Sequence, residues 1–198
     1  MNRHLNQILK IERERRRLWS NTKPWTPPKP GAGSRGAMSA TVGAAIRKAA
    51  TPMRKGLILR HLARGKYALE LGTGFGFGAA YIASTAKNLD TVDNEYMLCK
   101  DTKLYIGTQW GMPFEHALTE FRRIKLTYQF VHIDGDHTET ATINNYMNVL
   151  RLMPNGGVIV FDNIYWSDGM KLAWKRIAFG QRHVSIFGMG ILWVKRGD

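Results

Sequence analysis

Short apolar runs alternate with stretches of helical periodicity along the chain from residue 67 onward. This alternation predicts a parallel sheet whose strands are joined by crossover helices. The predicted strands are 67–71, 89–93, 103–107, 128–134 and 157–162. The predicted helices are 78–87, 95–101, 113–122, 139–151 and 168–179. The pattern therefore indicates an α/β fold.

The alternation stops after Gly180. Segments 182–187 (RHVSIF) and 191–196 (ILWVKR) are two β-like runs with only residues 188–190 between them. Strands joined by so short a connection must be antiparallel. The full pattern thus predicts a Rossmann-like, doubly wound and mostly parallel sheet that ends in an antiparallel hairpin.

The N-terminal third has a different pattern. Residues 1–20 place apolar positions among charges and predict a basic helical arm. Residues 21–36 contain four prolines and three glycines, which predicts a linker that tethers this arm. Residues 37–66 predict helices leading into the core, with a break at Pro52. The main domain would then be residues 67–198.

Composition limits the class of protein. Of the 198 residues, 44% are hydrophobic and 22% are charged, which is typical of a globular protein with a packed core. No window approaches the roughly 20 apolar residues of a membrane span, and the N-terminus lacks the apolar region of a signal peptide. The single cysteine, Cys99, excludes an intrachain disulfide and a thiolate zinc site. We expect a cytoplasmic protein.

The net charge of +14 is unevenly distributed along the chain. Residues 1–66 hold 16 Lys and Arg against two Glu, whereas residues 67–198 hold 13 of each sign. Such asymmetry is typical of a segment that meets a polyanion, either nucleic acid or an anionic membrane surface. A solubilising tail is the alternative interpretation.

A glycine-rich turn follows the first predicted strand. Residues 72–78 (GTGFGFG) come directly after it and precede a helix. Alternate glycines allow a tight turn and a close approach of the backbone to a ligand beside a helix N-terminus. Asp93 ends the second strand, 21 residues after Gly72, where a carboxylate can accept hydrogen bonds from a ribose. A nucleotide-like ligand is indicated.

Two alternatives to this interpretation stay open. A glycine-rich turn also occurs as a plain connection between a strand and a helix. Residues 74–79 (GFGFGA) satisfy the pattern G-x-G-x-x-A as well, so a nicotinamide-dependent oxidoreductase is a second hypothesis.

Polar side chains also follow the fourth and fifth predicted strands. Residues 130–137 (FVHIDGDH) and 158–166 (VIVFDNIYW) end at the same edge of the sheet as the glycine turn. The side chains expected to converge there are Asp134, Asp136, His137, Asp162 and Asn163. Their oxygens are suitable ligands for Mg²⁺. Alternatively, the first two aspartates cap the following helix and residues 162–163 form a turn. His132 is interpreted as a packing histidine.

Residues 70–76 (ELGTGFG) resemble the E-x-G-x-G-x-G motif of class I S-adenosylmethionine-dependent methyltransferases. A terminal antiparallel hairpin is also typical of that family, and the resemblance covers residues 67–198. It implies that the cofactor is bound by Glu70, Gly72, Thr73, Gly74, Gly76, Asp93 and Asp134.

The same resemblance implies a role for several of these positions. The three glycines would border the methionine part of the cofactor, Asp93 would hold the ribose, and Glu70 would orient the loop or the amino group. Glu95 competes with Asp93 for the ribose. Most members have an acidic residue after the third strand, which binds the adenine amino group. This chain has residues 107–109 (GTQ) at that place, so its adenine contacts are not identified.

The polar strand ends are similar to those of metal-dependent O-methyltransferases of the catechol, caffeoyl-CoA and macrolide-sugar types. The implied ligands of a Mg²⁺ ion are Asp134, Asp162 and Asn163. His137 falls where the sugar enzymes have a histidine and the catechol enzymes have a lysine base. Asp136 would assist this base if no metal were bound. Trp166 matches a tryptophan near the acceptor pocket, beside Tyr165.

The resemblance thus implies transfer of a methyl group from S-adenosylmethionine to a hydroxyl oxygen of a small molecule. The alternatives are a nucleic-acid methyltransferase or nucleic-acid-binding protein that uses residues 1–66, the nicotinamide oxidoreductase, and a non-catalytic interaction protein. A second copy of the chain is a further candidate partner.

Overall fold

The structure of the chain is a computed structural model that describes residues 3–24, 41–94 and 103–195. The predicted helix 95–101, most of the predicted linker, and both Glu95 and Cys99 lie outside these residues. The helices are α1 (Arg3–Trp19), α2 (Val42–Ala49), α3 (Met53–Leu62), α4 (Phe77–Ala83), α5 (Phe114–Arg123), α6 (Glu139–Leu150) and α7 (Asp168–Ala178). The strands are β1 (Tyr67–Leu71), β2 (Asn88–Asp93), β3 (Thr108–Gly111), β4 (Phe130–Ile133), β5 (Gly157–Phe161), β6 (Arg182–Ile186) and β7 (Met189–Val194).

The strands form one seven-stranded sheet in the order β3-β2-β1-β4-β5-β7-β6. Strands β1 to β5 are parallel, and β7 runs antiparallel to both β5 and β6. This confirms the predicted fold class. Leu71 at the end of β1 is in register with Val92 of β2 and Ile133 of β4, and Ile133 is in register with Phe161 of β5. The residues after these strands therefore share one edge of the sheet.

Each face of the sheet is covered by helices. Neighbouring residues of a strand point to opposite faces, so Ala68 joins one hydrophobic cluster and Leu69 joins the other. Helices α1 to α4 cover the first face with side chains such as Ile46 and Phe77. Helices α5 to α7 cover the second face with side chains such as Phe121. Strands buried on both faces explain the continuous apolar runs in the sequence.

The predicted third strand, 103–107, is wrong. The third strand is β3, which pairs in parallel with the second half of β2. Ile106 is buried in the core although it lies in an irregular segment, so its apolar side chain does not require a strand. Gly107 then turns the chain with a φ of +82°, and a Cβ at this position would lie 2.4 Å from the Leu89 carbonyl oxygen. Only after this turn does the backbone pair with the sheet.

The predicted hairpin is confirmed, but its connection is shorter than expected. Phe187 and Gly188 alone form the turn, with φ values of +52° and +76°, as in the two-residue turns that suit twisted hairpins. Met189 and Gly190 belong to β7 instead of the turn. Gly190 lies against the Trp174 ring, where a Cβ would come within 2.7 Å of ring carbons.

Helix α1 packs on the body of the protein, although the sequence was interpreted as a tethered arm. Ile11 and Leu18 of α1 are buried. The Arg15 guanidinium donates a hydrogen bond to the Thr51 carbonyl oxygen and lies 4.4 Å from the centroid of the Phe77 ring. The packing of α1 is therefore part of the core, whereas the four predicted segment boundaries stay predictions.

Helices α2 and α3 connect α1 to the sheet. Pro52 is the residue directly before α3, as the predicted break requires. Gly43 of α2 lies so close to the end of α1 that a Cβ there would be 2.2 Å from the Trp19 carbonyl oxygen. Among the helices of the described residues, none is long and apolar enough to cross a membrane.

The burial of α1 is tested by Leu18→Ala. Leu18 is 2% exposed, so we expect the substitution to lower the free energy of unfolding by about 2–5 kcal/mol, as for a buried leucine. Leu5→Ala is the matched control because Leu5 lies in the same helix and is 48% exposed. Urea denaturation of the full chain measures both. Equal, small effects of the two substitutions would contradict the packing of α1.

Candidate active site at the carboxyl edge of the sheet

A cavity of about 420 Å³ lies at the carboxyl ends of β1, β4 and β5. Its walls are the glycine turn at 72–74, the loops after β4 and β5, the connection between α2 and α3, and the hairpin turn at Phe187. Ligands of open α/β sheets bind at this edge. The cavity is therefore the place where a bound molecule would meet the predicted site residues.

The glycine turn is held against the end of β4. A Cβ on Gly72 would lie 2.1 Å from the Asp134 carbonyl oxygen, and its φ of +101° also favours glycine. Gly72 and Gly74 line the cavity, as does Thr73 between them. Gly76 does not line it, since it is the left-handed residue that precedes α4. The turn thus brings backbone into contact with the cavity.

Asp93 ties the end of β2 to the glycine turn. Its Oδ2 accepts a hydrogen bond of 2.9 Å from the Gly74 backbone amide. Asp93 does not line the cavity. In this arrangement its carboxylate orients the turn, and the ribose contact stays a prediction.

Glu70 is the centre of a buried hydrogen-bond network beneath the turn. Its Oε2 accepts a 2.7 Å bond from the Thr91 hydroxyl, which lies 2.6 Å from the Thr73 hydroxyl. Its Oε1 lies 3.1 Å from His132 Nδ1. Glu70 therefore connects β1, β2 and β4 and supports the loop. Interpreting His132 as a packing histidine missed this contact, which follows from the register of Glu70 beside His132.

The pKa values of Glu70 and His132 are both higher than those of the same groups in water. Burial raises the pKa of the Glu70 carboxyl, more than its bonds to His132 and Thr91 lower it. Burial opposes a charge on His132, but the hydrogen bond to Glu70 and the nearby charge of Asp134 outweigh it and raise the pKa of His132. The pKa values of both groups of this pair beneath the cavity are thus raised.

Asp162 is buried at the end of β5 and forms an ion pair with Lys55 of α3. The same oxygen, Oδ1, accepts a 2.9 Å hydrogen bond from the Asn163 backbone amide. Burial and the charge of Asp134 raise the pKa of the Asp162 carboxyl, whereas Lys55 lowers it. The sequence analysis did not identify Lys55, because α3 is 107 residues away along the chain.

The polar side chains predicted to converge after β4 and β5 do so, with one exception. His137 Nε2 lies 3.1 Å from the Asn163 amide nitrogen and 3.5 Å from Asp134 Oδ1. Together with Asp162 they line the cavity. The exception is Asp136, which is exposed and does not line it.

The alternative that Asp134 and Asp136 cap α6 is wrong. The residue before α6 is Thr138, and its hydroxyl accepts the hydrogen bond from the Ala141 amide. The predicted acceptor-side residues Tyr165 and Trp166 also line the cavity and are both exposed. Exposed aromatic surface of both residues therefore lies at the cavity.

The donor set proposed for Mg²⁺ does not fit a divalent cation in this arrangement. Lys55 already supplies a positive charge to Asp162, and the Asn163 amide contacts His137. Nor does any group of three His, Cys, Asp or Glu within residues 3–24, 41–94 and 103–195 have metal-binding geometry. We therefore derive no catalytic step through a metal.

The opposite wall of the cavity is basic. Arg47 and Lys48 at the end of α2 and Arg54 at the start of α3 line it, and all three are exposed. The Arg47 guanidinium donates to the Trp19 carbonyl oxygen, and Arg54 lies 5.0 Å from the centroid of the Phe187 ring. Part of the N-terminal positive charge thus faces the cavity.

The position of the third strand changes which residues lie where adenine contacts were expected. Residues 107–109 (GTQ) were expected to follow that strand, but Thr108 begins it, so they lie at its amino end. The chain that leaves its carboxyl end is residues 112–114 (MPF). The Phe114 ring lies so close to Gly135 that a Cβ there would be 2.5 Å from it. Phe114 therefore packs against the loop after β4.

Comparison with known proteins gives one family model and several structures of similar fold. Residues 69–164 match a family model described as a methyltransferase domain. A comparison with curated proteins gives no match. Three solved structures of similar fold illustrate the likeness, which at these identities concerns the fold. The first, an O-methyltransferase from Bacillus cereus in complex with S-adenosylhomocysteine, is 18% identical, with a TM-score of 0.61 over 73% of this chain and 82% of that chain.

The second is TomG from Streptomyces achromogenes, an O-methyltransferase involved in tomaymycin synthesis, in complex with S-adenosylmethionine. It is 17% identical, with a TM-score of 0.60 over 74% of this chain and 82% of that chain. The third is the cofactor-bound protein Rv0187 from MTB, which is 16% identical, with a TM-score of 0.63 over 100% of this chain and 92% of that chain.

The raised pKa of His132 predicts how stability depends on pH. The stabilisation from protonated His132 is fully present below its ordinary pKa of 6.5 and is lost as pH rises through the folded-state value. The raised pKa of Glu70 acts in the same direction above 4.5. The free energy of unfolding should therefore fall as pH rises above about 6.5.

The measurement is urea denaturation of the wild type and of His132→Gln at a series of pH values on both sides of 6.5, which gives the free energy of unfolding of each protein. The advantage of the wild type over His132→Gln should shrink as pH rises. His61→Gln, which changes an exposed histidine of α3, is the control. A difference between wild type and His132→Gln that is constant with pH would contradict the pairing.

Proposed function

We propose that the chain is a class I S-adenosylmethionine-dependent methyltransferase that methylates a hydroxyl oxygen of a small-molecule acceptor. One observation carries the proposal: the glycine turn after β1 and His137 after β4 line the same cavity. A cofactor bound along the turn would then have a proton acceptor beside its reactive end.

The cofactor half of the site is assigned to the turn and its supports. Gly72, Thr73 and Gly74 offer backbone to the methionine part of S-adenosylmethionine, since they line the cavity. Glu70 and Asp93 hold the turn from below and from the side, through the Thr91 hydroxyl and the Gly74 amide. Gly76 contributes as the residue before α4, where its backbone adopts the left-handed conformation.

The acceptor half is assigned to the loop after β5. Tyr165 and Trp166 present exposed aromatic surface at the cavity, which suits the carbon skeleton of an acceptor. The Trp166 ring centroid lies 6.3 Å from that of His137. An acceptor packed on this tryptophan would therefore bring a hydroxyl within reach of the imidazole.

Methyl transfer is an in-line displacement at the sulfonium methyl. The acceptor oxygen forms a bond to the methyl carbon, the carbon–sulfur bond breaks, and S-adenosylhomocysteine leaves as a neutral thioether. The acceptor proton passes to the imidazole of His137, which is held at its Nε2 by Asn163 and Asp134. Because the cofactor is intrinsically reactive, alignment of the two molecules supplies most of the rate.

Two features of the sequence analysis have no place in this reaction. Asp136 lies outside the cavity, so we assign it no role as an assisting base. Mg²⁺ has no suitable donor set. Binding of nucleic acid, an anionic surface or a second copy of the chain stays a prediction, as does the cytoplasmic location. Within α1, Arg15 is buried and Arg17 pairs with Glu14, so part of the basic charge serves packing.

The assignment of the turn predicts the effect of Gly72→Ala on cofactor binding. Its Cβ would collide with the Asp134 carbonyl and push the turn away from β4, so S-adenosylhomocysteine should bind at least about tenfold more weakly. Gly65→Ala is the matched control, because Gly65 also has a positive φ but has no atom within 4 Å of the added Cβ. Calorimetry with the full chain measures both. Wild-type binding of NAD without binding of S-adenosylhomocysteine would contradict the function.

The role of His137 predicts a kinetic effect. His137→Ala should lower kcat by about 10²–10⁴-fold, because the acceptor proton loses its base, while S-adenosylhomocysteine affinity stays unchanged. Formation of S-adenosylhomocysteine with a hydroxyl acceptor found by screening phenols and sugars measures the rate. His116→Ala, at an exposed position of α5, is the control. Equal rates for His137→Ala and the wild type would remove the imidazole from the mechanism.

A further inference from the structure

Lys55 and Asp162 form a buried ion pair at the wall of the cavity. Lys55 is 8% exposed and Asp162 is 5% exposed, and they join α3 to the end of β5. A buried ion pair contributes little net stability, because desolvation of both charges offsets their attraction. Apolar residues would connect these elements equally well. The presence of the pair at the cavity therefore points to a function.

The pair lies among the oxygens that would otherwise attract a cation. Asp162 feels the negative charge of Asp134, and both carboxylates line the cavity with the Asn163 amide. Two carboxylates at one edge of a cavity require positive charge nearby. Lys55 supplies it from the chain itself, by direct contact with Asp162 Oδ1.

We propose that the Lys55 ammonium, paired with Asp162, is the resident cation of this site and replaces the divalent metal that Asp134, Asp162 and Asn163 would otherwise hold. This inference rests on the proposed methyl transfer and makes it metal-independent. Lys55 is then a positioning residue: its ammonium holds the Asp162 side chain, whose Oδ1 also accepts a hydrogen bond from the Asn163 backbone amide. Asn163 contacts His137, so the ammonium also maintains the base.

The proposal differs from a purely structural role in one measurable respect. Removal of a structural lysine would only destabilise the chain. Removal of a resident cation would leave two carboxylates and an amide with a vacated position between them. That set of hard oxygen ligands suits Mn²⁺ or Mg²⁺, so the variant should gain a metal site.

The test is a titration of the full chain with Mn²⁺ in the presence of S-adenosylhomocysteine. Electron paramagnetic resonance detects the bound Mn²⁺. We expect no saturable binding by the wild type and saturable binding by Lys55→Ala. The double variant Lys55→Ala/Asp162→Asn should lose this binding again, which would assign the site. Lys66→Ala is the matched control, since Lys66 is a half-buried lysine whose ammonium donates to the Leu62 carbonyl oxygen away from the cavity. It should behave as the wild type.

Two results would overturn the proposal. One is saturable Mn²⁺ binding by the wild type that Asp162→Asn abolishes. The other is a folded Lys55→Ala chain that binds no Mn²⁺. If Lys55→Ala does not fold, Lys55→Gln replaces it, because glutamine keeps a hydrogen-bond donor for Asp162 without the charge. The wild-type measurement is decisive in either case.

A separate measurement distinguishes this proposal from the proposed function. Failure of the wild type to bind S-adenosylhomocysteine in calorimetry would refute methyl transfer, whatever the Mn²⁺ result. Once an acceptor is found, excess chelator should leave wild-type turnover unchanged. Loss of turnover that Mg²⁺ restores would overturn the role of Lys55 and leave the methyltransferase assignment intact.

Discussion

The close contact between β1 and β4 at their carboxyl ends is the constraint on which the cavity depends. The Asp134 amide donates to the Leu71 carbonyl oxygen at 2.8 Å, and the Asp134 carbonyl fills the space where a side chain on Gly72 would lie. Because the two strands end level, the turn after β1 and the loop after β4 form adjacent walls. A larger residue at 72 would separate the cofactor half from His137.

Two buried carboxyl side chains of the site are each paired with a side chain from another helix or strand. Glu70 of β1 contacts His132 of β4, and Asp162 after β5 contacts Lys55 of α3. Each carboxylate would be costly to bury alone, so each is accompanied by a cationic or proton-bearing group. Both pairs support parts of the cavity wall, one beneath the glycine turn and the other beside Asn163. Buried contacts between neighbouring elements therefore hold two walls of the cavity.

The N-terminal third participates in this site more directly than its composition indicates. Helix α1 packs on α2 and α4, and Glu12 accepts a 2.6 Å hydrogen bond from the Tyr81 hydroxyl of α4. Burial and this bond raise the pKa of Tyr81 above its ordinary range. The connection between α2 and α3 then brings Lys55 and the exposed Arg54 to the cavity. The excess of basic residues thus has packing and site roles alongside any role toward a partner.

The sequence by itself determined the fold class, the glycine turn and the convergence of Asp134, His137, Asp162 and Asn163. These features depend on local periodicity and on the rule that the carboxyl ends of parallel strands share one edge of the sheet. A single sequence is therefore enough to predict them. The sequence placed the third strand wrongly. Ile106 is buried in an irregular segment, so the apolar pattern around it resembles that of a strand. Only the tertiary structure decided the pairing of Lys55 with Asp162 and the burial of α1. Such contacts join residues far apart along the chain, and side-chain packing in space alone brings them together.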